Sequence, residues 1–315
     1  MNALTSSPVV VRARGAWQKM PLVARAGLQA TMATIFFAVM HVLIRYISQE
    51  LHALQIVFFR NFLALLWLTP WLLRVGPRGL RTQRLGLFGI RALVGFVAMT
   101  SGFWALTLIP VTQVTALSFA APLFATIGAV IFLGEVVKLR RWTAVIVGFL
   151  GTMIVLQPGM APLEFGVILA LVNAAGMAGN KLITKSLART ESTESIITYM
   201  VLLLTPLSLI PALFVWQWPS LHAMFWMVVL AGLGTCGHWL MTSSYAKADV
   251  SFILPFDFLR LPWTALLAFI LFAEVPSLYT WIGGAVIFGA TFYITHREAR
   301  IARANRTKEA SAPGA

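Results

Sequence analysis

Charged side chains are scarce in this chain, and acidic ones are the scarcest. Only 11% of the 315 residues are charged, with 10 Asp and Glu against 24 Lys and Arg. A soluble domain carries about 25% charged residues, so this composition excludes an ordinary soluble fold. The hydrophobic share of 59% and the mean hydropathy of +0.84 indicate an integral membrane protein, surrounded by the lipid bilayer.

Cysteine and the motifs of several enzyme classes are also missing. Cys236 is the single cysteine and lies in an apolar run, so one chain can form neither a disulfide framework nor a cysteine-based metal site. There is no GxxxxGKS/T phosphate loop, HExxH zinc motif or Gly-x-Ser-x-Gly elbow. We therefore predict a protein that is not an enzyme, does not hydrolyse ATP and needs no cofactor or metal.

Long apolar runs fill the chain between residues 27 and 296, and the connections between them are short. Each run is close to the about 20 residues that a helix needs to cross the hydrocarbon core. The pattern predicts an all-α integral membrane protein with a tail at each end (1–26 and 297–315), the second of them frayed or disordered. The ten predicted transmembrane helices are 27–48, 53–73, 86–108, 112–133, 142–158, 165–186, 195–216, 223–244, 251–272 and 279–296.

The basic residues predict how these helices are oriented. Outside the predicted spans, all Lys and Arg fall in the tails and in alternate connections, and the opposite connections hold none. By the positive-inside rule, both termini are cytoplasmic and the protein is a multi-pass protein of the cell inner (plasma) membrane. The net charge of +14 does not predict nucleic-acid binding, because the basic residues form no continuous stripe.

Two stretches 139 residues apart, 116–157 and 255–296, share one pattern. Superposing them aligns Glu135 with Glu274, Trp142 with Trp281, Ala144 with Gly283 and Gly151 with Ala290. The chain is therefore predicted to be two copies of a five-helix unit, 27–158 and 165–296. Because five is odd, the second copy is inverted, an arrangement typical of secondary transporters with a site between the repeats. An intramembrane enzyme and a passive channel remain as alternative classes.

Ionisable residues inside the predicted spans are the first candidates for function, because burying them in a bilayer is costly. Asp257 and Arg260 lie in the ninth span, one helical turn apart, where Pro255 and Pro262 predict an irregular helix. Asp257 is the only acid well inside a span. It could couple transport to protons, or the two side chains could simply neutralise each other.

Arg60, in the second span, could bind a carboxylate or phosphate of a substrate, or could bond to carbonyls at a helix end. His41 and His238, in the first and eighth spans, could each shuttle a proton or simply be hydrogen-bonded in the bundle. Three further basic residues lie nearer the span ends, and we expect them to snorkel toward the membrane surface: Arg45, Arg91 and Lys181.

Aromatic and small residues give weaker predictions. Trp104 and Trp239 could line a pocket for a flat substrate, as could Phe96, Phe103 and Trp263, although ordinary packing explains them equally well. The pairs Ala144–Gly148 and Ala285–Gly289 are expected to let helices approach closely. Glu135 and Glu274, at helix ends, are expected to be structural.

The chain resembles the EamA-type members of the drug/metabolite transporter superfamily. The resemblance covers about 27–296 and is carried by APLFATIGAVIFLGE, RW, GFLGTMIVLQPG and FAEVPSLYTWIGGAVIFGATFYI. Two positions depart from the pattern: Ala144 stands where the family has Gly, and Pro262 comes one residue later than Pro122. The resemblance implies a carrier of a small organic metabolite, working by alternating access. Its site would lie between spans one, three, four, six, eight and nine.

The runs FFRN and LPFDFLRLPW look like the branch that includes bacterial riboflavin and S-adenosylmethionine transporters. This likeness makes a flat vitamin or cofactor such as riboflavin the first substrate expected. Export of amino acids or related metabolites is the alternative.

Overall fold

The computed structural model describes residues 21–75, 82–133, 139–157, 164–187, 190–191, 193–245, 247, 253 and 256–311. Within these ranges every regular element longer than one turn is a helix. In chain order the helices are α1 (Leu22–Ile47), α2 (Ala53–Val75), α3 (Leu85–Leu108), α4 (Val111–Ser118), α5 (Ala121–Leu133), α6 (Leu139–Leu156), α7 (Phe165–Leu187), α8 (Thr193–Leu213), α9 (Leu221–Tyr245), α10 (Arg260–Phe272) and α11 (Leu278–Ser311).

Several of these helices have the length and composition of membrane spans. Six segments are long and apolar enough to cross a bilayer: Ala24–Ile47, Leu85–Leu108, Val111–Gly128, Phe165–Thr184, Ser195–Leu213 and Leu221–Met241. Shorter apolar helices lie at Ala53–Thr69, Trp142–Leu156 and Leu278–Tyr293. The predicted class, an all-helical multi-pass membrane protein, is confirmed at this level.

The fourth predicted span is not one continuous helix, and the prediction of a single helix over 112–133 is wrong in this respect. α4 ends at Ser118 and α5 begins at Ala121, with a turn at Phe119 and Ala120 between them. Pro122 has no N–H to donate to the Ser118 carbonyl, so the helical ladder is interrupted here. The freed Phe119 carbonyl accepts a hydrogen bond from the Thr291 hydroxyl of α11 (3.1 Å).

The ninth predicted span has a corresponding interruption. Residues 256–258 are helical, Leu259 forms a turn, and α10 starts at Arg260. This agrees with the irregular helix predicted from the prolines, although Pro255 itself lies outside the described residues. The two breaks occupy equivalent positions in the two copies, since Phe119 aligns with Phe258.

Contacts between the two copies are reciprocal. The first span of each copy packs on the third span of the other, α1 on α9 and α7 on α3. First spans also pack on fourth spans, α1 on α10 and α7 on α5. Equivalent helices meet each other in two further pairs, α2 with α8 and α6 with α11, and the two broken spans meet through α4 and α10. These reciprocal contacts place the two broken spans against each other.

Small residues mediate only some of the close approaches that their spacing predicts. Gly148 packs against Leu123, as expected for a close helix contact. Ala285, in contrast, is exposed, and a Cβ at Gly289 would meet no atom within 4 Å. The prediction for this second pair is wrong, because α11 turns Gly283 and Ile287 toward α6 and so directs residues 285 and 289 outward.

The chain ends also differ from expectation. α11 continues to Ser311, so the expectation of a frayed or disordered tail from residue 297 is wrong over most of its length. The sequence there is rich in Arg, Ala and Glu, which favour helix, and holds no Gly or Pro before Pro313. At the other end α1 begins at Leu22, inside the predicted tail 1–26, and residues 1–20 lie outside the described ranges.

Candidate functional site

A small cavity lies where the two broken spans meet. Its volume is about 30 Å³, the space of a single water molecule. Residues of the first copy and of the second both line it: Ser118, Phe119, Pro122, Met177, Asp257, Phe258, Arg260, Phe288 and Thr291. Discontinuous helices between repeats are the usual setting of a substrate site in secondary transporters, so this cavity is the candidate site.

Three phenyl rings form the apolar side of the cavity. The equivalent residues Phe119 and Phe258 face each other, with ring centroids 5.4 Å apart. Phe258 also packs on Phe288 of α11, at 4.4 Å. These distances are those of favourable aromatic pairs, and the ring planes are tilted by 37° and 34°, so the rings form an apolar wall beside the cavity.

Arg260 is the positive group of the cavity, and its guanidinium is held on two sides. Its Nη2 donates to the Ser118 hydroxyl (2.8 Å), and its Cζ lies 5.3 Å from the centroid of the Phe119 ring. The side chain is only 8% exposed, yet its Nε has no hydrogen-bond partner. Arg260 is therefore positioned by its neighbours and keeps one buried donor unused.

Asp257 lines the same cavity, as the sequence spacing predicts. Within the described part of the chain it forms no ion pair with Arg260 within 4.0 Å, and its carboxylate has no hydrogen bond. The alternative that the two side chains neutralise each other is not the arrangement seen here. The cavity presents them as separate negative and positive groups.

His41 is connected to this site through α4. Its Nδ1 lies 3.2 Å from the Thr115 hydroxyl, which itself donates to the Val111 carbonyl (2.8 Å). The Ser118 hydroxyl donates to the Thr115 backbone carbonyl (2.7 Å) and accepts from Arg260. Thr115 thus contacts His41 through its hydroxyl and Ser118 through its carbonyl.

Arg60 lies outside the residues that line this cavity. It is 2% exposed, and its Nη1 donates to the Asn61 side chain (3.0 Å), while its Nε has no partner. It packs against α9, because a Cβ at Gly234 would lie 3.2 Å from its Nη2. Among the residues that the structure describes, Arg60 makes no bond to a helix-end carbonyl. His238, also on α9, contacts the Phe37 ring at 5.1 Å and does not line the cavity.

The aromatic residues singled out in the sequence are not those of the cavity. Trp104 packs between His52 and Phe165, with ring distances of 5.5 and 5.7 Å. Trp239 is 63% exposed on the surface of α9, and Phe103 belongs to the hydrophobic core. Sequence reasoning missed the cavity rings, although the alignment of Phe119 with Phe258 at the two breaks was a signal for them.

A polar network joins the copies at the end of the bundle where α1 finishes. Glu274, just after α10, accepts a hydrogen bond from the Val111 N–H at the start of α4 (3.2 Å). Its carboxylate also lies 3.9 Å from the Arg45 Nε, and Arg45 donates to the Thr107 carbonyl. This geometry fits the structural role predicted for Glu274 and shows Arg45 held by protein partners. Glu135 lies outside the described residues.

Arg91 likewise has protein partners, and the expectation that it snorkels stays a prediction. Its Nε donates to the Thr184 hydroxyl of α7 (2.9 Å), and its Nη1 donates to the Ile196 carbonyl of α8 (3.3 Å). These acceptors lie within reach because α3 packs on both helices. The side chain of Lys181 is outside the described set.

Comparison with known proteins supports this architecture. A riboflavin transporter of Vibrio cholerae serotype O1 is 32% identical, over 87% of this chain and 94% of the relative. An S-adenosylmethionine uptake transporter of Rickettsia bellii is 30% identical, over 82% and 87%. A solved crystal structure of a protein aligns with a TM-score of 0.59 and 19% identity, covering 88% of this chain and 99% of that one. The last match shows the shared fold alone.

The family model agrees with the two copies read from the sequence. The model of the EamA-like transporter family matches twice, at residues 25–157 and 164–296. These ranges contain the two breaks, the cavity between them and all the candidate residues. On this evidence the chain belongs to the EamA-like transporter family.

Proposed function

We propose that the protein is a secondary transporter that moves a flat vitamin or cofactor such as riboflavin by alternating access. The observation that carries the mechanism is the cavity between the repeats, built where two discontinuous spans meet. The substrate is supported by the riboflavin-transporting relative and by the three phenyl rings of the cavity. Export of amino acids or related metabolites is the competing assignment.

The same proposal includes ten spans in two inverted five-helix repeats, with both termini cytoplasmic in the inner membrane. Reciprocal packing of the two copies supports the two-fold relation. The one-sided distribution of basic residues supports the orientation. In this topology the ends of α1 and α10 face the outside.

Contacts at that outer end support a closed outer side. Besides the Glu274 network, Glu50 makes contacts at this end: it accepts hydrogen bonds from the Ser220 N–H (2.7 Å) and hydroxyl (2.9 Å). The Tyr46 hydroxyl lies 3.1 Å from the His222 Nε2. A cavity of about 30 Å³ cannot hold a three-ring vitamin, so in this proposal the repeats separate on one side to admit substrate. A permanently open channel would need no such movement.

Uptake by purified protein in liposomes tests the proposal. Labelled riboflavin should enter the vesicles at a saturable rate without ATP, and should be recovered chemically unchanged. S-adenosylmethionine and a panel of amino acids, assayed in both directions, serve as the competing substrates. A rate that rises without saturation would indicate a channel. Transport of amino acids but not of riboflavin would support the competing assignment.

Asp257→Asn should slow transport much more than it lowers the amount of folded protein. The carboxylate lines the cavity without a partner, so its loss breaks no contact that the described residues make. We expect the initial rate to fall at least about tenfold, as for the loss of one proton-transfer group. Initial rates from pH 5.5 to 8.5, with yields from size-exclusion chromatography, measure both. An unchanged pH profile in the variant would remove Asp257 as a coupling group.

A further inference from the structure

We propose that Asp257 and Arg260 together recognise an imide edge, C=O, N–H, C=O, on a flat ring system. The isoalloxazine ring of riboflavin carries such an edge on its pyrimidine ring. This inference rests on the proposed transport of a flat vitamin and adds the part of the molecule that is recognised. It also assigns the choice of substrate to two named residues.

Arg260 supplies the donor. Its Nη2 is already bonded to Ser118 and its face is packed on Phe119, so both the position and the plane of the guanidinium are set. The Nε–H is buried and unpartnered on a side chain that lines the cavity, and it can only donate, because a guanidinium has no acceptor. A buried donor without a partner is costly, so a ligand carbonyl that reaches it gains more than it would at an exposed group.

Asp257 supplies the acceptor. A carboxylate oxygen accepts hydrogen bonds, and this side chain has neither a hydrogen bond nor an ion pair within 4.0 Å among the described residues. The turn at Leu259 separates Asp257 from Arg260, yet both line the same cavity. The cavity therefore has an acceptor and a donor in its wall, which complement the N–H and a neighbouring carbonyl of an imide.

The surroundings favour a neutral imide over a zwitterionic amino acid. An amino acid would also satisfy one positive and one negative group, but it would bring two full charges into a cavity walled by phenyl rings. Desolvating two charges is much more costly than desolvating a neutral imide. An amino acid would also leave the rings of Phe119, Phe258 and Phe288 without a planar aromatic partner.

The test compares riboflavin with N3-methylriboflavin, in which a methyl group replaces the imide proton. Each compound is measured as an inhibitor of labelled riboflavin uptake in proteoliposomes. The wild-type protein should prefer riboflavin by at least about tenfold, because a site built around a hydrogen bond rejects an analogue that lacks it. In Asp257→Ala the preference should fall to about threefold or less, since the methyl group no longer displaces a bond to the carboxylate.

Glu50→Ala is the matched control, since it removes a carboxylate that bonds to Ser220, away from the cavity. This variant should keep the wild-type preference for riboflavin over N3-methylriboflavin.

Equal inhibition by the two flavins in the wild type would overturn the inference and leave riboflavin transport intact. This comparison needs no variant, so it holds even if Asp257→Ala does not fold. The inference would also be overturned if Asp257→Ala kept the wild-type preference for riboflavin. It would be overturned as well if S-adenosylmethionine inhibited riboflavin uptake by the wild type but not by Asp257→Ala. No riboflavin uptake by the wild type would refute the proposed function itself.

Discussion

Arg260→Met abolishes transport while leaving the folded protein at least as stable as the wild type. This is the expected result if the guanidinium binds substrate and contributes nothing to the stability of the fold. Arg260 is a buried cation that pairs with no carboxylate among the described residues, and its Nε is unsatisfied. Burying a charge without an opposite charge beside it is costly, and an apolar side chain of similar length removes that cost.

Ser118 and Phe119, which lose their contact with the guanidinium in this variant, keep other partners. Ser118 keeps its hydrogen bond to the Thr115 carbonyl, and Phe119 keeps its contact with Phe258. The riboflavin uptake rate should fall at least about 100-fold, the range expected when a charge-assisted hydrogen bond in a dry site is removed. Initial uptake rates, together with thermal unfolding in detergent micelles, measure the two quantities separately.

Arg91→Met is the matched control for this result. Its guanidinium donates to Thr184 and Ile196, so the variant leaves partners in α7 and α8 without donors. We expect a loss of about 1–3 kcal/mol in folding free energy. If Arg260→Met instead destabilised the protein and transported at the wild-type rate, Arg260 would have to be assigned a structural role.

The second large effect concerns the contact between α6 and α11. A Cβ at Gly283 would lie 2.6 Å from the backbone oxygen of Gly151, closer than real Cβ contacts come. Backbone cannot rotate away as a side chain can, so Gly283→Ala should force the two helices apart. Overpacking of this kind costs about 1–3 kcal/mol. The melting temperature in detergent and the yield of monodisperse protein should both fall.

Gly289→Ala in the same helix should change stability in the opposite direction. A Cβ there meets no atom within 4 Å, so the substitution adds helix propensity without a clash. The expected gain is up to about 1 kcal/mol. Equal effects of the two substitutions on the melting temperature would contradict the assigned contact between α6 and α11.

Much of the architecture was predictable from particular residues. The low charge and the long apolar runs predicted the membrane class, and the alignment of 116–157 with 255–296 predicted the two copies that the family model matches. Asp257 and Arg260 were identified because an ionisable group within an apolar run is conspicuous. The structure places both on one cavity.

The partners of the aromatic and small residues were not predictable in this way. Trp104 and Trp239 were no worse candidates than Phe119 and Phe258, yet only the second pair lines the cavity. Gly289 has a small-residue neighbour four positions away, as Gly148 does, yet it faces open space. Pro122 could equally have produced a kinked continuous helix instead of the break that is seen.

By itself the sequence determined the membrane class, the two copies and the intramembrane charges, because composition, repetition and isolated charges are local properties of a chain. Only the tertiary structure decided which helix faces meet, where the two interrupted spans contact each other and which rings surround Asp257 and Arg260. The reason is physical. Lipid and protein interior are both apolar, so a helix carries no polar stripe to show which face packs inward. Helix packing alone makes that choice.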